Sequence, residues 1–165
     1  MAKNLLVSWI RDAHAMELAL EPVLENHAKD AEGVMPDVSA RDRQHAAETR
    51  QHADRMRQAL EELNESPSTM KSALSALFGQ VQSVSTGLFS DELMKNALSD
   101  YAAEQFEIAC YRSLVAAAEE LGDARVAALC RANLQEDEAM ARWLDTQLPR
   151  FVRETMAMDS AGSRR

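Results

Sequence analysis

Seven residues of this 165-residue chain have the types and spacing that could hold divalent cations: Glu17, Glu48, His52, Glu104, Glu107, Glu136 and Asp137. His45 stands behind them in second rank. Carboxylate oxygens together with imidazole nitrogens suit Fe(II), Mn(II) or Zn(II). Glu48 with His52, at i,i+4, and Glu104 with Glu107, at i,i+3, lie on neighbouring turns of one helix face and can reach one ion. Each residue sits on or beside an apolar line. Glu17 lies between Ile10/Ala13 and Leu20/Leu24. His45 and His52 fall among Val38, Thr49, Met56 and Leu60, with Glu48 at the edge. Glu104 follows the line of Ala97, Ile108 and Val115, with Glu107 at its edge. Asp137 is central among Asn133, Met140 and Leu144, flanked by Glu136. A lone buried carboxylate is costly and takes up a proton unless it is paired. Singly, Glu48, Glu107 and Glu136 also read as solvated flank residues, and Glu17 and Glu104 as partners of Arg or His. Recurrence on every long segment is what points to a cation.

The elements that must position these residues are helices. Ala supplies 28 residues and Leu 18, against 11 for Val plus Ile, and Gly plus Pro only 9; helix formers dominate and strand formers are scarce. One all-α domain over 1–156 is expected, with 157–165 a disordered tail. The first helix spans about Lys3 to Asp30 along Leu6, Trp9, Ile10, Ala13, Leu20, Val23 and Leu24, kinked by Pro22. Glu32 to Pro36 breaks it, and Asp37 or Ser39 caps a second helix that runs to Asn64. Glu65 to Ser90 reads as a long crossover holding a short helix through Met70, Ala73, Leu74 and Leu77, before Gly79. Such a connection suits a four-helix bundle whose second and third helices are parallel. The third helix runs from Asp91 to Gly122 with Leu93, Ala97, Tyr101, Ile108, Tyr111, Val115 and Ala118 inward. Leu121-Gly122-Asp123 is a tight turn. The fourth helix runs from Ala124 to Leu148, ended by Pro149.

Register brings the acids together. Glu17 lies about 13 residues before the end of its helix, and Glu48 and His52 about 10–14 after the start of the next; Glu107 and Glu136–Asp137 flank their own turn by about 13 residues each. At about 1.5 Å per residue both pairs meet roughly 20 Å from their turns, in one mid-bundle layer.

The rest of the chain excludes several functions. A net charge of −9 offers no summed positive field for nucleic acid. No stretch approaches the ~20 apolar residues of a membrane span. The start, charged by Arg11 and Asp12, does not read as a signal peptide. Cys110 and Cys130 lack metal or redox-motif spacing and read as free thiols, which suggests the cytoplasm. His14 and His27 read as helix-flank and helix-end residues, Tyr101 and Tyr111 as core aromatics, and Trp9 and Trp143 as half-exposed residues available to a dimer contact. No phosphate-binding glycine loop or nucleophile motif is present.

The segments Glu104-Gln105-Phe106-Glu107-Ile108-Ala109-Cys110-Tyr111, His45-Ala46-Ala47-Glu48-Thr49, Leu134-Gln135-Glu136-Asp137-Glu138-Ala139 and Asp12-Ala13-His14-Ala15-Met16-Glu17 resemble the YciE/YciF group of bacterial ferritin-like stress proteins. The resemblance covers nearly the whole chain. It implies a ferritin-like four-helix bundle, commonly a homodimer, with a two-iron site and a ferroxidase role in stress that would use oxygen or peroxide. Ferritin-like sites carry Glu-x-x-His on two helices. Here the residue three after Glu48 is Gln51, and those three after Glu136 and Asp137 are Ala139 and Met140, so the fourth helix offers no imidazole. The expected function is therefore a metal-binding protein of the ferroxidase kind. The alternatives are a redox-inert Mn or Zn binder and a non-enzymatic helical stress or interaction protein.

Overall fold

The computed structural model describes residues 2–67 and 91–162. Nearly all of them lie in four helices: α1 (Ala2–Ala31), α2 (Pro36–Glu62), α3 (Glu92–Glu120) and α4 (Ala124–Gly162). α1 packs chiefly on α2 and α3 on α4; α2 also meets α4, and α1 meets α3. The helices thus ring the core in the order α1, α2, α4, α3, with α2 and α3 on a diagonal. Their direction follows from contacts at one end of the bundle. Asn96 in the second turn of α3 donates to Asp30 at the close of α1, and Arg150 late in α4 pairs with Asp37 in the first turn of α2. α2 and α3 therefore start at the same end and run parallel, as a long crossover requires. The short helix expected around Met70–Leu77 lies outside the described residues. Among the described residues no helix is long and apolar enough to cross a membrane.

Two apolar clusters close the bundle. At the end where α1 begins, Leu6, Ile10, Met16, Met56, Leu60, Leu114, Val126 and Cys130 are buried together. Burying a Leu or Ile side chain of this kind contributes about 1.5–3 kcal/mol. A smaller cluster at the opposite end joins Ala31, Met35, Val38, Leu93, Ala97 and Phe151. Most of the polar residues of the core lie between the two.

Several local expectations are corrected. Neither Asp37 nor Ser39 caps α2: Met35 holds the N-cap position without a side-chain hydrogen bond, Pro36 occupies the first turn, and Asp37 is engaged by Arg150. Pro149 does not end the fourth helix, which continues to Gly162; the expected tail is helical up to that residue. α1 carries Pro22 inside one continuous helix, as expected. A helical proline frees the carbonyl four residues earlier. Leu18 and Asp145, the residues that carry those carbonyls, are both exposed. Trp9 is 45% exposed, in line with its reading as half-exposed and off the buried stripe of α1. In α3 Leu93, Ala97, Ile108, Tyr111 and Ala118 are buried as expected, Tyr101 and Val115 are half-buried, and the buried face also takes in Asn96, Asp100, Glu107 and Leu114. The turn between α3 and α4 is as expected: Gly122 takes φ +72°, and Asp123 Oδ1 accepts from the Val126 N–H at 3.1 Å.

Candidate metal centre

Midway along the bundle each helix places at least one ionisable side chain in the core. Glu17 comes from α1, His45 and His52 from α2, Glu104 and Glu107 from α3, and Asp137 from α4; none is more than 2% exposed. The helical period explains the pairs. His45 and His52 are seven residues apart, two turns on one face, and Glu104 and Glu107 are three apart, on successive turns. The donor atoms form two groups, Glu17/His52/Glu107 and His45/Glu104/Asp137, with all atoms of a group within 4.8 Å of one another.

Each imidazole is held from behind. His45 Nδ1 donates to Glu48 at 3.0 Å, and its Nε2 donates to Glu104 at 2.6 Å. His52 Nε2 bonds Glu136 at 2.8 Å, leaving Nδ1 toward Asp137 at 3.3 Å and Glu17 at 3.6 Å. The two holding carboxylates are fixed in turn. Glu48 accepts from Arg41 at 3.2 Å and Gln44 at 2.8 Å, and Arg41 lies over the Trp143 ring at 6.0 Å. Glu136 accepts from Arg55 at 2.6 and 3.1 Å, and Arg55 also donates to Asn133 at 2.9 Å. Tyr111 donates to Glu17 and accepts from Asn133 Nδ2 at 2.8 Å. A carboxylate behind an imidazole fixes its orientation and raises its basicity as a ligand.

Electrostatics in the layer are strained. Burial raises Glu107 and Asp137 well above the usual carboxylate range, and the neighbouring acids, Glu17 foremost, add to it. Burial also raises Glu104, against the pull of His45. For His45 burial works downward, but Glu104 and Glu48 outweigh it and carry the imidazole up to about 10. Burial likewise opposes ionisation of Glu48, yet His45, Arg41 and Gln44 bring it down to about 2. Glu136 is lowered in the same way, burial being outweighed by Arg55 and His52. Even with both imidazoles charged, four buried acids would leave a surplus of two negative charges.

The structure thus brings together Glu17, His52, Glu104, Glu107 and Asp137 as expected. It moves Glu107 from the edge to the interior, and it draws in His45, the second-rank residue. Glu48 and Glu136 stand outside the constellation, behind the histidines. Sequence reasoning passed over Asp42 and Asp100, both buried. Val38, Asp42, His45 and Thr49 follow 4-3-4 spacing, a signal that could have placed Asp42 inside.

Whether this donor set fits a cation is answered by its unpartnered atoms. Glu17 Oε2, His52 Nδ1, Glu104 Oε2 and both Asp137 oxygens are buried without a hydrogen-bond partner. Each orphan of this kind costs about 1–3 kcal/mol, more when charged. Three donors about 2.1 Å from a common ion lie roughly 3–3.6 Å from one another, so donors up to 4.8 Å apart close on an ion by side-chain shifts of about 1 Å. Four carboxylates and two imidazoles is also the total of ferritin-like two-metal sites, here with both imidazoles on α2 in place of one on each of two helices. The residues fit.

Comparison with known proteins agrees with this architecture. A family model described as a domain of unknown function, DUF892, matches residues 1–157. A protein of known structure from Xanthomonas campestris is 32% identical, with a TM-score of 0.81 and coverage of 96% of this chain and 98% of that one. The Escherichia coli stress protein YciF is 23% identical, with a TM-score of 0.81 and coverage of 93% and 98%. The Desulfovibrio desulfuricans bacterioferritin, described with a diiron site in different catalytic states, is 20% identical at a TM-score of 0.74 over 96% and 87% of the two chains, and shows the fold alone. The chain belongs to the DUF892 family, as a YciE/YciF-type protein built on the ferritin-like four-helix bundle.

Proposed function

We propose that this protein binds two iron ions in the polar layer and oxidises Fe(II) there, a ferroxidase-type role in oxidative stress. The observation that carries the reading is the convergence of unpartnered buried atoms from all four helices on one mid-bundle layer. Glu17, His52 and Glu107 would hold one ion, and His45, Glu104 and Asp137 the other. Iron held there would supply one-electron chemistry toward oxygen or peroxide. The chain's own residues supply everything else. Glu48 and Glu136 aim the imidazoles, Arg41 and Arg55 keep those two carboxylates charged, and Tyr111 fixes one oxygen of Glu17 so that the other faces the layer. The apolar cluster at the end where α1 begins excludes water from that side. On loading, His45 and the raised acids release protons, because ligands must be deprotonated to bind.

The test is anaerobic titration with Fe(II) followed by addition of oxygen. A fast oxidation phase that disappears in Glu104→Ala is the expected result. The absence of an imidazole on α4 favours one competing reading, a redox-inert Mn or Zn site; stoichiometric zinc uptake with no oxygen consumption would favour it instead.

A further inference from the structure

One turn beyond the metal centre, toward the end where α1 passes into α2, lies a separate polar cluster. His27 Nδ1 and Asp100 Oδ1 are paired at 2.7 Å between α1 and α3. Asp42 of α2 lines the same small cavity, of about 10 Å³, which is walled on the α4 side by Leu144 and Phe151. That volume admits about one water-sized species. His27, Asp42 and Asp100 are 6%, 3% and 4% exposed.

Register makes this cluster continuous with the centre. Asp42 precedes His45 by three residues and Asp100 precedes Glu104 by four, about 5 and 6 Å along their helices. His27 follows Glu17 by ten residues and Asp42 precedes His52 by ten, so in the antiparallel pair both are displaced about 15 Å the same way. Outward, Asn96 lines the cavity and donates to Asp30 at 3.0 Å, which is exposed. Polar groups therefore run from the surface at Asp30 to His45 and Glu104.

A pair holding α1 to α3 would account for His27 and Asp100. It does not account for Asp42, whose Oδ1 is buried and unpartnered and whose carboxyl is raised to about 7 by burial and by the nearby charge of Asp100. A second carboxylate buried in a small cavity beside the first is stabilised by a cation between them. Among the described residues only the two groups of the centre have donors already converged, so this outer seat holds an ion more weakly.

We propose that His27, Asp42 and Asp100 form a second, transient divalent-cation site through which ions pass from the Asp30 end of the bundle to the metal centre. The proposal rests on the two-metal reading of that centre. The experiment that tests it uses Co(II), mixed rapidly with the intact apo protein and followed by visible absorption, with bound metal counted after dialysis. Wild type should show two tightly held ions and a third weaker one. Asp42→Asn should lose the third and load the centre about tenfold or more slowly, the scale of electrostatic effects on association, with an unchanged final two-ion spectrum. A merely structural role for Asp42 would shift the melting temperature and leave the loading rate alone. Asp42→Ser, with the same expectation, serves if the asparagine variant does not fold. Loading of the variant at the wild-type rate overturns the relay and leaves the metal centre standing. Failure of wild type to take up any Co(II) overturns both.

Discussion

His45 and His52 stand edge to face on α2 with ring centroids 6.3 Å apart, and each gives one nitrogen to a half-buried carboxylate while the other faces the core. The symmetry is functional in form: Glu48 serves His45 and Glu136 serves His52. Removing either carboxylate should therefore loosen metal binding without abolishing it. Glu48→Gln and Glu136→Gln are each expected to weaken Fe(II) or Co(II) affinity about 10–100-fold, the range for residues that orient a ligand. Equilibrium titration checks this, and a complete loss in either variant would mean that the carboxylate itself binds the ion.

The layer costs the apo protein stability. Glu107 is fully enclosed, and burial together with Glu17, Asp137 and Glu104 opposes its charge; exchanging it for an apolar side chain of similar length removes that penalty along with its hydrogen bond to Glu17. Glu107→Met should raise apo stability by about 1–4 kcal/mol, as when buried ionic groups are replaced by packed apolar ones, and should lose one bound ion. Denaturant melts with and without metal read both effects; a destabilised apo variant would show that the hydrogen bond to Glu17 outweighs the penalty.

Stability should depend on pH with opposite sign in the two states. Asp42, raised to about 7 from 3.8, binds its proton more tightly when folded. Its contribution is complete below about 4 and is lost as pH rises through about 7. Glu107 and Asp137 are raised in the same direction. Glu48, held down at about 2, works the other way, its contribution present above about 4.5 and lost as pH falls toward 2. The apo melting temperature should thus climb from pH 8 to about pH 5 and fall in stronger acid. Metal-loaded protein should lose stability from pH 7 to 5, because protons compete with the ions for the same donors. Parallel curves for the two states would contradict this.

The α3–α4 turn offers a backbone test. Gly122 has φ +72° and open space where a Cβ would go, while Gly33 has equal space and no positive φ. Gly122→Ala should cost about 1–2 kcal/mol from the left-handed conformation alone, and Gly33→Ala should be near neutral or slightly stabilising. Thermal melts of the two variants compare them directly.

Much of this was legible because each of Glu17, His52, Glu104 and Asp137 interrupts an otherwise apolar line, and because turn positions fix the height of every residue in an antiparallel hairpin. α3 was the harder helix. Four of its ten buried residues are Asn96, Asp100, Glu104 and Glu107, so the apolar period that locates a face is interrupted where the chemistry is densest. Glu107 was consequently set at the edge and Asp100 passed over. His27 sits in the last turn of α1, where a histidine ordinarily meets solvent near the carbonyl end; only the arrival of Asp100 from α3 shows why it is buried. Pro149 misled for a different reason. The helix continues past it to Gly162, with Phe151 buried in the apolar cluster at that end, a tertiary contact that the local sequence does not announce.

Anaerobic dialysis of the apo protein against Fe(II), with iron counted per chain for wild type, Glu17→Gln and Asp137→Asn, bears most directly on the polar layer. Two irons per chain in wild type, falling to one or none in each variant while the helical spectrum is unchanged, is the expected result. No bound iron in wild type, or the same number in all three, would contradict it.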